Sequence, residues 1–311
     1  MEFKHVPVMK EECIEGLNLK PDGLYFDGTL GGAGHSYEIL RRTSPNGKLV
    51  ATDLDREAIK NAERRLNEFA GRFTLINKNF KQFSKIKEEL GVDGFDGVLL
   101  DLGVSSYQLD NRERGFSYMS EDSKLDMRMD SSAKKSAYEV VNGYTKAQLS
   151  YILSVYGEEK FADNISKNIV EARAEKPIET TGELVAIIDR SIPYKFKQNG
   201  HPAKKTFQAI RIEVNGELDG LGQAVEDMVK GLKPGGRIAV LTFHSLEDRI
   251  IKQVFKDLET DCICDKRLPV CVCGKRKIIK TVNKKPIEAS EEEKTLNPRA
   301  KSAKLRIAEK L

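Results

Sequence analysis

Leu24-Tyr25-Phe26-Asp27-Gly28-Thr29-Leu30-Gly31-Gly32-Ala33-Gly34-His35-Ser36 is the stretch on which the fold turns. Its first three residues are an apolar run that ends at Asp27-Gly28, the mark of a short strand entering a turn. A helix is expected to open near Gly34. Between the two, glycines let the backbone turn tightly and approach a ligand. Ligands of open α/β sheets bind at the carboxyl ends of strands, where such a loop lies. Taken alone, the loop suits a dinucleotide, a nucleotide or adenosylmethionine, or is simply a tight turn.

The alternation continues downstream. Lys48 to Thr52 reads as a second strand, Asp55 to Phe69 as a helix, and Phe73 to Ile76 as a third strand. A short helix over Phe83 to Leu90 precedes a fourth strand, Phe95 to Leu100, that ends at Asp101. Strands alternating with helices predict a parallel sheet with helices on both faces. The pattern then changes. Leu102 to Asp130 is polar, and from Ala137 to about Arg190 the signal is helical only. Val214 to Leu232 reads as a helix ending in a turn at Lys233-Pro234-Gly235-Gly236. Arg237 to Phe243 reads as a strand and Leu246 to Leu258 as a helix, with two more strand candidates at Lys277 to Val282 and Ala303 to Ala308. The expected architecture is one α/β core built from residues 1–106 and 201–311, interrupted by an all-helical insertion over 107–200.

Composition narrows the class. The chain has 311 residues, 39% of them apolar, enough for a substantial core. It contains no apolar run of the ~18 residues needed to span a bilayer. The N-terminus, MEFKHVPVMKEE, lacks the apolar centre of a signal peptide. A cytoplasmic protein is the expectation. Net charge is +4, unevenly spread: from Lys266 onward there are 14 Lys and Arg against 5 Glu, a net of +9, leaving −5 for the rest. Such a tail is either a phosphate-binding surface or a solvated extension. Four of the five cysteines cluster as Cys262-x-Cys264 and Cys271-x-Cys273. In a reducing compartment this favours metal or redox chemistry over structural disulfides. Zinc is the candidate ion, although Cys-x-Cys is tighter than the usual Cys-x₂₋₄-Cys. The alternative is four reduced thiols in a surface loop. Cys13 falls in a helical pattern and is expected to be buried.

Strand ends carry the candidate chemistry. The second strand ends in Thr52-Asp53-Leu54-Asp55, and an acidic residue about 20 residues beyond the glycines suits the ribose hydroxyls of an adenosine cofactor. A dinucleotide site would show the spaced G-x-G-x-x-G pattern; Gly28, Gly31, Gly32 and Gly34 fit a methyltransferase loop better. Phe80 follows the third strand, where an aromatic either stacks on adenine or fills core. The fourth strand ends in Asp101-Leu102-Gly103-Val104-Ser105-Ser106. An exocyclic amine is a poor nucleophile because its lone pair is conjugated with the ring. A carboxylate that accepts one of its N–H bonds can turn that lone pair toward a sulfonium methyl, and alignment supplies much of the rate. Asp101 lacks the Asp-Pro-Pro-aromatic context usual for that role.

Longer blocks carry a resemblance. They are His5-Val6-Pro7-Val8-Met9, the glycine loop through Ser36, Asp101 through Asp110, Arg114-Gly115-Phe116-Ser117-Tyr118 and Leu125-Asp126-Met127-Arg128-Met129. They continue with His201 through Ile212, Leu241 through Arg249 and Asn297 through Arg306. In this order they resemble the RsmH/MraW family of bacterial 16S rRNA cytosine-N4 methyltransferases. The resemblance implies a Rossmann-like class I methyltransferase core that uses S-adenosylmethionine, with a helical insertion for RNA recognition. It implies methylation at N4 of the decoding-centre cytosine conventionally numbered 1402, with 16S rRNA or the small subunit as partner. The family's cofactor contacts fall on Ala33, Gly34, His35, Asp53, Phe80, Asp101 and Gln108. Ala33 stands where the family commonly has glycine. Metal binding by the four cysteines is not implied, since only some members have them. The assembly state is left open, a homodimer included.

Other residues admit two readings each. His35 either bonds the cofactor carboxylate or caps its helix, and His244 either faces substrate or makes a structural hydrogen bond. His201, Lys204, Lys205 and Arg211 either meet RNA phosphate or serve as helix face and ion-pair anchors. Tyr107, Phe116 and Tyr118 either stack a flipped base or pack their loop. Asp126 and Arg128 are a candidate ion pair. Two other classes use the same features: a nucleotide-binding oxidoreductase, which lacks any mark of a hydride-acceptor site, and a non-catalytic RNA-binding protein, which would have no reason to keep the glycine loop.

Overall fold

The computed structural model describes residues 7–197, 200–265 and 270–311, apart from the side chain of Ser106. His5, Val6, Lys266 and Arg267 lie outside the described residues. The chain forms two compact units, one of residues 1–103 with 220–311 and the other of residues 104–219.

The first unit opens with α1 (Lys10–Leu17), β1 (Leu24–Asp27), α2 (Gly34–Arg42), β2 (Lys48–Thr52), α3 (Arg56–Arg65), β3 (Phe73–Ile76), α4 (Phe83–Glu89) and β4 (Phe95–Asp101). The second contains α5 (Ser106–Asp110), α6 (Ala137–Gly143), α7 (Lys146–Val155), α8 (Ala162–Glu175), α9 (Thr181–Ser191) and α10 (Lys204–Asn215). The first then resumes with α11 (Leu221–Lys230), β5 (Leu232–Thr242), α12 (Ser245–Glu259), β6 (Ile279–Thr281), β7 (Ile287–Glu288), α13 (Glu291–Leu296) and β8 (Lys304–Lys310).

The sheet runs β3-β2-β1-β4-β5-β8-β6, with β7 also paired to β8. β1 to β5 are mutually parallel. β8 lies antiparallel between β5 and β6. Successive strand residues face opposite sides, which accounts for the two layers. Tyr25 points toward α1, where its ring and Leu17 close on Gly97 so tightly that a β-carbon there would stand 2.9 Å from the ring. Phe26 points the other way, edge-on to Phe83 of α4 at 4.9 Å and to Phe95 at 5.5 Å.

Two local expectations are corrected. Val214 to Leu232 is not one helix: α10 ends at Gly216 (φ 55°) and α11 starts after Gly220 (φ 66°), both in the left-handed region that favours glycine. Lys233 to Gly236 is not a turn before β5 but a bulge within it, since Phe95 pairs with Leu232 and Gly97 with Arg237. The bulge carries the Lys233 ammonium to the buried Asp96 carboxylate at 2.7 Å, which also accepts from the Leu24 N–H at 3.0 Å. Burial would raise the pKa of Asp96, but Lys233 and the backbone donor hold it below its ordinary value.

The inserted unit has its own apolar core, from Phe116, Leu125 and Met127 through α6 to α10. Ser136 with Glu139, Thr145 with Gln148 and Thr180 with Glu183 form reciprocal capping boxes that start α6, α7 and α9. The unit closes at residue 219 rather than at 200, because α10 packs on α6 and α7. Asn215 at its end accepts from the Met129 N–H at 2.7 Å and donates to the Met127 carbonyl at 2.8 Å.

The C-terminal strand is locked by a charge pair. Arg306 of β8 donates to both carboxylate oxygens of Asp248 on α12, at 2.7 and 3.1 Å, and both side chains are largely buried. Breaking one side of such a pair leaves an uncompensated buried charge, at about 3–5 kcal/mol. Asp248→Ala is therefore expected to lower unfolding stability by about that much in urea titration, whereas the paired replacement Asp248→Leu with Arg306→Met should recover most of the loss.

Candidate functional site

The site is built at the carboxyl edge of β1, β2 and β4. β1 ends in Asp27, which is 1% exposed. One carboxylate oxygen accepts from the Thr29 N–H at 3.0 Å and the other from the Ser36 hydroxyl at 2.6 Å. Burial pushes the Asp27 pKa up, and the Ser36 and Thr29 donors pull against that. The loop is further pinned where Gly28 donates to the Leu99 carbonyl at 2.9 Å and Leu30 to that of Thr52 at 3.0 Å. The sequence reading missed this role of Asp27, although the residue stands inside the quoted motif.

Each expected cofactor residue has a place. Gly34 opens α2 with Pro7 pressed against it, in the space a side chain would fill. That contact joins the first matching block to the glycine loop. Ala33 sits at φ 56°, fully buried; the change from glycine keeps the left-handed turn but loads it with a conformation that side chains disfavour. No side chain caps α2, so its first N–H groups are suited to a carboxylate. Asp53 accepts from the Gly31 N–H and from the Asp55 N–H, both at 2.8 Å. Desolvation pushes its pKa up to about 6, against the pull of these two donors. Phe80 is half-buried and reaches Gly28, whose added β-carbon would stand 3.0 Å from that of Phe80.

His35 and Asp101 meet. His35 Nε2 lies 3.6 Å from Asp101 Oδ2, too long for a hydrogen bond. The Asp101 N–H is held by the Thr29 hydroxyl at 2.6 Å. Both His35 ring nitrogens and Asp101 Oδ1 are buried without a hydrogen-bond partner among the described residues. Buried polar atoms left unpaired cost about 1–3 kcal/mol each, so the cluster is shaped for a polar ligand. His35 does not cap its helix; Ala33 holds that position.

The remaining candidates fall at other places in the fold. His244 caps α12: its Nδ1 accepts from the Glu247 N–H at 3.4 Å, and the Glu247 carboxylate accepts from the His244 N–H at 3.3 Å. In the inserted unit, Gln108 is buried in a capping box with Ser105. Arg211 pairs with Glu217 through two bonds of 2.8 Å, and Lys205 donates to the Glu158 carbonyl at 2.9 Å. Lys204 is exposed, Tyr107 is half-buried and Phe116 is buried. His201 stacks on Tyr118 with ring centres 4.4 Å apart. Asp126 and Arg128 form the expected pair at 2.7 Å. Burial opposes ionisation of Asp126, but the Arg128 guanidinium and N–H keep its pKa below the ordinary value.

The sheet order and the open carboxyl edge call for comparison with known proteins. The family model described as the MraW methylase family matches residues 2–311. The chain belongs to this family. It is 55% identical over 311 residues to "Ribosomal RNA small subunit methyltransferase H" of Clostridium botulinum, covering 100% of both chains. It is 54% identical over 312 residues to the protein of the same name in Clostridioides difficile, again 100% of both. With "Ribosomal RNA small subunit methyltransferase H 2" of Agathobacter rectalis it shares 52% identity, over 100% of this chain and 99% of that one. The family sets aside the oxidoreductase reading.

The raised pKa of Asp53 yields a test of its expected contact with ribose. Ribose hydroxyls donate to the ionised carboxylate, so binding gains as pH rises through about 6. Adenosylmethionine affinity, followed by calorimetry, should be about tenfold weaker at pH 5 than at pH 8. Asp53→Asn should stay weak and flat across that range. The same raised pKa means that this group's contribution to folding stability falls as pH climbs from the ordinary carboxylate range through about 6; Asp53→Asn should remove that slope.

Proposed function

We propose that this chain transfers a methyl group from S-adenosylmethionine to N4 of the decoding-centre cytosine of 16S rRNA, conventional position 1402. The observation that carries the reading is the cluster of His35 and Asp101, with its unpaired buried polar atoms beside a glycine loop at the carboxyl edge of the sheet. S-Adenosylmethionine supplies the methyl as an electrophile on a sulfonium. Ala33, Gly34 and His35 would hold its carboxylate end, Asp53 its ribose and Phe80 its adenine. Asp101 Oδ1 is then the acceptor that takes one N–H of the cytosine amine and orients its lone pair. A target base in a stack must be flipped out to reach such a pocket.

The inserted unit is the proposed RNA-recognition domain. Tyr194, Lys195 and Phe196 form an exposed basic-aromatic turn, with Tyr194 83% exposed and the Lys195 ammonium 5.1 Å from the Phe196 ring. That is a surface on which unpaired bases stack, and the sequence reading did not single it out. In the tail, Lys280, Lys284, Lys285 and Lys301 are exposed, whereas Arg306 is committed to Asp248. The proposed partner is the small ribosomal subunit or its RNA, and the proposed setting is the cytoplasm. Among the described residues no helix is long and apolar enough to cross a membrane.

Three measurements test this reading. Mass spectrometry of small-subunit RNA from a deletion strain should show the N4 methyl missing at that cytosine and restored by the purified chain; a different unmodified nucleotide would move the substrate assignment. Asp101→Asn should cut kcat at least tenfold at saturating cofactor, about 1.4 kcal/mol, because the lost contact strengthens in the transition state. A rise in KM for adenosylmethionine with kcat intact would assign Asp101 to holding cofactor. Neutralising Lys280, Lys284 and Lys285 should weaken RNA binding and flatten its salt dependence by about 0.7–0.9 log unit per lost phosphate contact. An unchanged slope would make the tail a solvated extension.

A further inference from the structure

Among its described residues, the segment between α12 and β6 has a firm stem and no apolar core. At the stem, Ile278 donates to the Leu258 carbonyl at 2.9 Å and Lys277 to the Asp261 carboxylate at 3.0 Å. Thr281 gives both its N–H and its hydroxyl to Glu259 at 2.8 Å. Beyond the stem the apolar side chains point outward: Ile263 and Val270 are each 69% exposed and Val272 is 77% exposed. What the loop gathers inward is sulfur.

We propose that Cys262, Cys264, Cys271 and Cys273 form a tetrathiolate site for one zinc ion. Their four Sγ atoms all lie within 4.8 Å of one another. Cys271 stands 3.4 Å from Cys262, 3.9 Å from Cys264 and 3.5 Å from Cys273, and Cys273 lies 3.8 Å from Cys262. Tetrahedral bonds of ~2.3 Å place sulfurs about 3.8 Å apart, so these separations suit one central ion. They do not suit disulfides, whose sulfurs sit ~2.0 Å apart in exclusive pairs, whereas Cys271 is near all three others. Backbone donors face the sulfurs, among them the Cys264 N–H to Cys262 at 3.4 Å and the Val272 N–H to Cys264 at 3.3 Å. Such donors favour the thiolate, the form that binds metal.

The charge balance is explicit. Four thiols release four protons, and the Zn²⁺ tetrathiolate carries a net charge of −2. Lys275 and Arg276 follow Gly274 in sequence and bring positive charge next to the cluster. The short Cys-x-Cys spacing fits because the two pairs approach from opposite ends of the loop. The ion takes the place of a hydrophobic core in fixing the loop from which the basic tail departs.

The test uses the full chain, purified with reductant and without chelator from zinc-supplemented culture. Elemental analysis should find about one zinc per chain. Removing the zinc should expose four thiols to a thiol reagent under native conditions, with the buried Cys13 unreactive. Co²⁺ added to the stripped chain should give the visible and sulfur-to-metal charge-transfer bands of a tetrahedral thiolate site, absent in Cys271→Ser/Cys273→Ser. Should that variant fail to fold, the wild-type Co²⁺ spectrum still decides. A wild-type chain that retains no metal and gives no such spectrum, or four thiols equally reactive with and without Zn²⁺, overturns the proposal. So do disulfides persisting in the reduced chain.

Discussion

A carboxylate sealed from water organises the candidate site. Asp27 sits at the end of β1 with both oxygens committed, one to the backbone of the glycine loop and one to the first turn of α2. A buried carboxylate is costly unless it is fully hydrogen-bonded, so the loop has little freedom to take another shape. Thr29, set by that contact, holds the backbone of Asp101 through its hydroxyl. Asp53 pins Gly31 from the adjacent strand end. The loop is thus shaped by two carboxylates bonded to its backbone, and the His35–Asp101 pair beside it keeps unmet polar atoms.

Much of the core was legible because its strands are short buried runs bounded by turn residues. β1, β2, β3 and β4 fall where local pattern puts them, and Asp53 and Asp101 could be singled out as strand ends. Strand direction is not written in local pattern, which is why the antiparallel placement of β8 was not foreseen. The break between α10 and α11 was hidden because apolar periodicity runs on across Gly216 and Gly220. Pairing between distant side chains was equally silent: nothing near Asp248 announces Arg306, and nothing in Gly34 announces Pro7.

The structure also divides the matching blocks by purpose. Part of their content is architecture. Asp126 and Arg128 close a turn, Asn215 fastens the end of its helix to the backbone around Met127 and Met129, and His244 with Glu247 starts α12. These residues would be required whatever reaction the enzyme ran. Among the described residues, the buried side chains with unmet polar atoms are His35, Asp101 and His244, near the carboxyl ends of strands, and Thr206 in α10.

The position of β8 bears on how the protein is made. It occupies a place between β5 and β6 that is filled only after everything preceding Lys304 has been synthesised. During translation the emerging chain first offers β1 to β4, then an inserted unit with a core of its own, while the exposed flank of β5 waits for a partner. An unpaired strand flank is a template for mispairing, and the nascent core carries one until its last strand docks. The buried Arg306–Asp248 pair is the latch that ends that interval.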